Sequence, residues 1–169
     1  KEVVHQHLAD YFKGVHTQGK VFVQKNGQEH PQHDRHIEDH SKSLWEGCKP
    51  NLRRLEELVF HLLLAGLPDI AAIELLDSLD YALGKLLTDP YDLVQQLIEA
   101  QTVDSRCGGT RGEQLASMRL FLQRELVSLK QDPQIIYQLA NQQPDSSAAY
   151  CALQKSSHNT ALVAWAAKP

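Results

Sequence analysis

Apolar residues recur at three- and four-residue spacing along most of this chain, and helix-start and helix-stop residues cut that pattern into short segments. Those two observations predict an all-α protein whose helical hairpins stack as a short α-solenoid or arm. A third observation divides the chain, because residues 14–50 hold few apolar side chains and no sustained period. The organisation expected is a terminal helix over 1–13, a His-rich linker over 14–50, a helical arm over 51–155 and a connection over 156–169.

The first helix is predicted from Val4, Leu8, Tyr11 and Phe12, which share one side at helical spacing, with Gly14 as the stop. It reads as the last helix of something that begins upstream. The start at Lys1 without methionine and the end at Pro169 after an apolar run fit a fragment. Within 14–50, Val21-Phe22-Val23 predicts a short strand, while Gly27 and Pro31 break any longer element. The remainder is expected to be a long loop.

From Asn51, a fair N-cap, the period is strong: Leu55, Leu58, Val59, Leu62 and Leu63 form a core-facing stripe. Gly66 is placed to take the left-handed stop, and Pro68 to open a second helix bearing Ile73, Leu76, Leu79, Leu83 and Leu86. So short a turn predicts a helical hairpin, with Leu58, Leu62, Leu76 and Leu83 buried together. Asp89-Pro90 opens a third helix with Leu93, Val94, Leu97 and Ile98 inside, followed by a loop over Thr102–Gly112. A longer helix carries Leu115, Met118, Leu122, Leu126 and Leu129. Asp132-Pro133 repeats the start signal before Ile135, Ile136 and Leu139, and Pro144 ends that helix. Ser146 or Ser147 caps another helix that buries Tyr150 and Leu153, and a last one is expected near 160–167 with Leu162 and Trp165. The two Asp-Pro starts stand 43 residues apart. That is near the HEAT-type period of about 40–47 residues.

At 169 residues the chain can bury one sizeable core. Its net charge of −4 is unevenly spread, since residues 51–100 set Arg53, Arg54 and Lys85 against nine carboxylates. Such a surface repels phosphates, so RNA or DNA contact through this segment is not expected. Three cysteines without C-x-x-C spacing argue against a disulfide framework and predict thiols that behave as small hydrophobes in a reducing compartment. No apolar run reaches the length of a transmembrane helix, and the cytoplasm is the expected location.

Phosphate-cradling and nucleophile-elbow motifs are absent, and Gly108-Gly109-Thr110-Arg111-Gly112 lacks the Walker pattern. No catalytic or cofactor-binding residue is therefore expected, and the chain is read as not an enzyme. Metal-ligand candidates are His33, His36 and His40, with His30, Asp34, Glu38 and Asp39 nearby. The stretch has no apolar anchor to preorganise ligands, so the reading preferred over a metal site is a solvated loop and no metal is expected. His61, among leucines, reads as a satisfied, half-buried histidine. Tyr11, Phe12, Tyr81 and Trp165 read as core or interdomain packing. Asp77 and Asp80 belong to an acidic face that is either solvated or a docking surface for a basic partner.

Four stretches together resemble the region after the nucleotide-binding module in the NACHT and WD-repeat branch of the STAND NTPases, relatives of apoptotic protease-activating factor and of telomerase-associated protein architectures. VVHQHLADYFKG resembles the closing helix of their winged-helix domain, and NLRRLEELVFHLLLAG the helix placed next. LLDSLDYALGKLLTDPYDLVQQL is similar to the second helix and its connection, and DPQIIYQLANQQPDSS to the last helix before the propeller. The matching positions are Leu8, Ala9, Tyr11, Phe12, Leu55, Leu58, His61, Leu62, Ala65, Gly66, Gln138, Ala140, Asn141 and Pro144. The His-rich insert at 28–43 has no counterpart in that pattern. The resemblance implies a non-catalytic helical arm between a nucleotide switch and a partner-sensing propeller. ATP, dATP or GTP is then expected only in an upstream domain. Partners would be the flanking domains of the same chain, protein partners or further copies. A free-standing HEAT- or TPR-like adaptor and a metal-responsive module remain the alternatives.

Overall fold

The computed structural model describes residues 2–13, 21–23, 29–31 and 52–156. Helix α1 spans Glu2–Phe12, and strands β1 (Val21–Val23) and β2 (Glu29–Pro31) follow. Then come α2 (Leu52–Leu64), α3 (Pro68–Leu76), α4 (Leu79–Leu86), α5 (Pro90–Arg106), α6 (Gly112–Gln131), α7 (Ile136–Asn141) and α8 (Ala148–Lys155). A 3₁₀ turn, Pro133–Ile135, leads into α7. The described residues are thus mostly helical, as the periodicity predicts.

The stop and start signals act as their chemistry requires. Gly66 sits at φ 72°, and the N–H of Leu67 reaches back to the carbonyl of Leu62 at 3.0 Å. That is the six-to-one closure of a Schellman end, which a residue with a Cβ adopts only under strain. Pro68 then opens α3 at its first position. Asp89 and Asp132 hold nearly the same extended backbone, at φ −141° and −142°, and each accepts a backbone N–H from the turn that follows. The cap is repeated but the helices after it are not: one runs 17 residues, the other is a 3₁₀ turn and six residues of α-helix.

Helix α3 occupies the middle and packs on α2, α4, α5, α6 and α8. Pro68, Ala71, Ala72, Leu75 and Leu76 are accordingly buried around more than one side of it. Helices α5 and α6 pack along each other, and α1 lies against α2. Leu58, Leu62, Leu76 and Leu83 all belong to the one core.

Several expectations need correction. The predicted helix from Pro68 to Leu86 is two helices, because Ser78 turns extended and its hydroxyl accepts the N–H of Asp80 to start α4. Ile73 falls on the exposed side as a result, and Tyr81 and Ala82 enter the core. The loop expected over 102–112 is mostly helix: α5 continues to Arg106, with the hydroxyls of Thr102 and Ser105 folded back onto carbonyls one turn earlier. Leu126 is only half-buried on α6, and Phe121 takes a core place instead. Tyr150 on α8 is half-buried, whereas Leu153 is buried. Cys107 and Cys151, expected to behave as small hydrophobes, are exposed free thiols. Strand β1 forms as predicted and pairs antiparallel with β2, Phe22 opposite His30, although Glu29-His30-Pro31 shows no strand pattern of its own. Asn51, the last predicted helix, Trp165, His33, His36, His40 and Cys48 lie outside the described residues.

Candidate functional site: the dock of α1

Helix α1 brings Ala9 and Phe12 into the core, and the other partner surface is α2. Ala9 allows close approach, and the Phe12 ring lies parallel to the His61 imidazole at 5.8 Å between centroids. His61 is 8% exposed. Its Nδ1 stands 2.9 Å from the Nδ1 of His5, about two turns before Phe12 on α1, and its Nε2 is 3.4 Å from Glu57. A single proton can lie between two facing ring nitrogens, so at least one of the two rings must be neutral for this contact to form. Burial lowers the His61 pKa, Glu57 opposes that shift, and the charge of His5 adds to it. His61 is therefore held neutral where an exposed histidine would begin to charge.

The carboxyl end of α1 is tied down separately. Arg54 on α2 donates to the Phe12 carbonyl at 3.4 Å and to Glu74 on α3 at 3.1 Å. The other oxygen of Glu74 pairs with Lys13 at 3.2 Å. A guanidinium at a helix carboxyl end satisfies an orphan carbonyl and meets the negative pole of the helix dipole. One carboxylate thus links three helices that the sequence separates by up to 61 residues. Beside this dock, apolar side chains remain outside: Val3, Val4 and Leu8 on α1, Phe60 and Leu64 on α2. The Phe60 and His5 rings stand edge to face, with their centroids 6.4 Å apart.

A second polar cluster lies deeper. The Tyr81 hydroxyl is 2.9 Å from both Gln96 Oε1 and the Leu55 carbonyl, and Gln96 donates to Leu55 and to Asp92. Lys85, 1% exposed, pairs with Asp92. Tyr137 donates to Asp80 at 2.8 Å. Burial pushes both phenols well above their ordinary value, the carboxylates of Asp92 and Asp80 adding to it. These groups are fully engaged with one another and hold helices together.

Of the residues singled out in the sequence, Phe12 is in the dock and Tyr11 packs edge-on to it, half-buried. Asp77 pairs with Lys155 at 2.8 Å, and Asp80 accepts from Tyr137. His61 is satisfied, more deeply buried than expected. His5, Arg54 and Glu74 carried no sequence signal as a group, because each is an ordinary polar residue until folding brings α1 onto α2. Among the described residues no set of three His, Cys, Asp or Glu side chains is arranged to hold a metal ion. No described helix is long and apolar enough to cross a membrane. Compared with known proteins, the chain matches no family model, no curated sequence and no solved structure.

Proposed function

We propose that this segment is a non-catalytic helical coupling element, an arm that joins a NACHT-type nucleotide switch to a WD-repeat sensing domain within a larger protein. The observation that carries the reading is the dock of α1. A helix separated from α2 by a long insert is fixed to the helical body by a ring stack, a histidine pair and a carboxylate bridge, while an apolar edge beside it stays uncovered. Coupling needs a rigid element with a surface on which a neighbour can seat in more than one way. The packed body from α2 to α8 is that rigid element, and the edge of Val3, Val4, Leu8, Phe60 and Leu64 is the seat.

The adaptor alternative draws on free acids between α3 and α5, and four of those acids already have partners within the chain. Glu74 faces Lys13 and Arg54, Asp77 faces Lys155, Asp80 faces Tyr137 and Asp92 faces Lys85. The coupling role is tested in the full parent chain with a photo-crosslinking residue in place of Val4 or Phe60. The expected products are intrachain crosslinks to an upstream nucleotide domain, in yields that change with the nucleotide bound. Crosslinks that go only to separate proteins, or that ignore nucleotide, would favour the adaptor.

A further inference from the structure

The end of α3, the start of α6 and one side of α8 along its length meet around a cavity of about 300 Å³. Ile73, Leu76 and Ala148 supply its apolar part. Its charged members are Arg111, Lys155 and Asp77, and the last two neutralise each other across 2.8 Å. Arg111 is different. Its backbone N–H donates to Asp104 at 3.2 Å, yet the side chain of this half-buried residue has no hydrogen-bond or ion-pair partner among the described residues. Gln114, also at the cavity, has no side-chain partner among them either. Around the cavity the Lys155 and Asp77 charges cancel and Arg111 is left over, with the exposed Gln114 amide beside it and the buried Asp104 carboxylate behind its backbone N–H.

The local backbone adds to this. Arg111 stands at the N-cap position of α6 and makes no side-chain cap there, so the first-turn N–H groups of a 20-residue helix lack the usual oxygen. An anion near that end meets both the guanidinium fork and the positive pole of the helix. A planar five-donor guanidinium suits a carboxylate or a phosphate, two oxygens at a time. A volume at the bottom of the usual range of about 300–1,000 Å³ admits only a small body.

We propose that this cavity binds a small organic anion, a carboxylate or phosphate monoester with a short apolar body, its head group held by Arg111 and Gln114. The body lies against Ile73 and Leu76. A neutral molecule of the same shape leaves the guanidinium unpaired and binds less well. The site stands apart from the α1 dock and does not depend on the coupling role.

Cys151 lines the same cavity and is an exposed free thiol, whereas Cys107 is an exposed thiol that does not line it. Alkylation by iodoacetamide, followed at each cysteine by mass spectrometry, therefore reports occupancy with an internal control. The probes are butyrate, phenyl phosphate and, as the neutral comparison, butyramide, titrated through the millimolar range at constant ionic strength. Butyrate or phenyl phosphate is expected to slow alkylation of Cys151 saturably, by about fivefold or more, leaving Cys107 unchanged. Which of the two protects identifies the head group. Butyramide is expected to give no protection, and Arg111→Gln to abolish the effect with helix content retained. Should Arg111→Gln lose helicity, Gln114→Ala is expected to weaken protection in a folded chain. Protection by neither anion, equal protection of Cys107, or protection that survives these substitutions would overturn the proposal.

Discussion

Replacing Tyr81 by Phe removes one oxygen from a site closed to water, and its consequence follows from counting protons. The hydroxyl has one hydrogen and two acceptors within 2.9 Å, Gln96 Oε1 and the Leu55 carbonyl. Gln96 has two amide hydrogens, placed 3.3 Å from Leu55 and 3.1 Å from Asp92. Leu55 is thus served by the amide, and the phenol proton belongs to Gln96 Oε1. Tyr81→Phe keeps the ring and its packing but leaves that oxygen without a donor, with Gln96 only 6% exposed. Stranding a buried acceptor costs about 1–3 kcal/mol. For a chain of this length each kcal/mol lowers the melting temperature by about 2–4 °C. The assay is urea denaturation followed by far-UV circular dichroism, with Gln96→Leu and the double variant completing a cycle. Removing both partners is expected to cost less than the two single losses added, with a coupling of about 0.5–3 kcal/mol. Additive losses, or a Tyr81→Phe variant as stable as the parent, would refute the reasoning.

Other outcomes follow from the packing and the charges. Leu62→Ala opens a hole in the core, where Leu62 is 1% exposed, and is expected to cost about 2–5 kcal/mol in the same denaturation assay. A Cβ on Gly109 would lie 1.9 Å from Asp104 Oδ1. Gly109→Ala is therefore expected to destabilise by about 1–3 kcal/mol, and adding Asp104→Ala to recover part of the loss, because the clash is with that side chain. His61 has a folded pKa below its unfolded value of 6.5, so the unfolded state binds the extra proton as pH falls. Its contribution is complete above 6.5 and is lost on acidification through the folded pKa. Melting temperatures measured between about pH 7 and 5.5 are expected to fall in the parent and to fall less in His61→Phe, which keeps a ring against Phe12. Equal slopes would mean that the histidine contact does not sense protons.

Helix propensity, stripe and punctuation are local properties, and where they alone decide the outcome the sequence is legible. Leu55, Leu58 and Leu62 lie on one face of any helix drawn through them, and all three are buried. Gly66, Asp89, Asp132 and Ser147 act on the residues next to them, so their roles follow from backbone chemistry without knowledge of the rest. What the chain could not disclose was decided by competition at longer range. Leucine spacing runs on through Ser78, but a straight helix would keep Ile73 and Leu83 on one face, and the packing of α3 against five neighbours favours a break there. Thr102 and Ser105 look like loop residues until their hydroxyls find carbonyls within an extended α5. The dock of α1 is the clearest case. His5 and His61 stand 56 residues apart, and neither local pattern nor composition marks them as partners. Likewise the guanidinium of Arg111 joins Lys155 around one cavity only because α6 and α8 converge on the end of α3. A sequence sets which faces are apolar and where helices start and stop. Which distant polar groups then face each other depends on how those faces are apportioned among neighbours, a property of the folded packing and of no single segment.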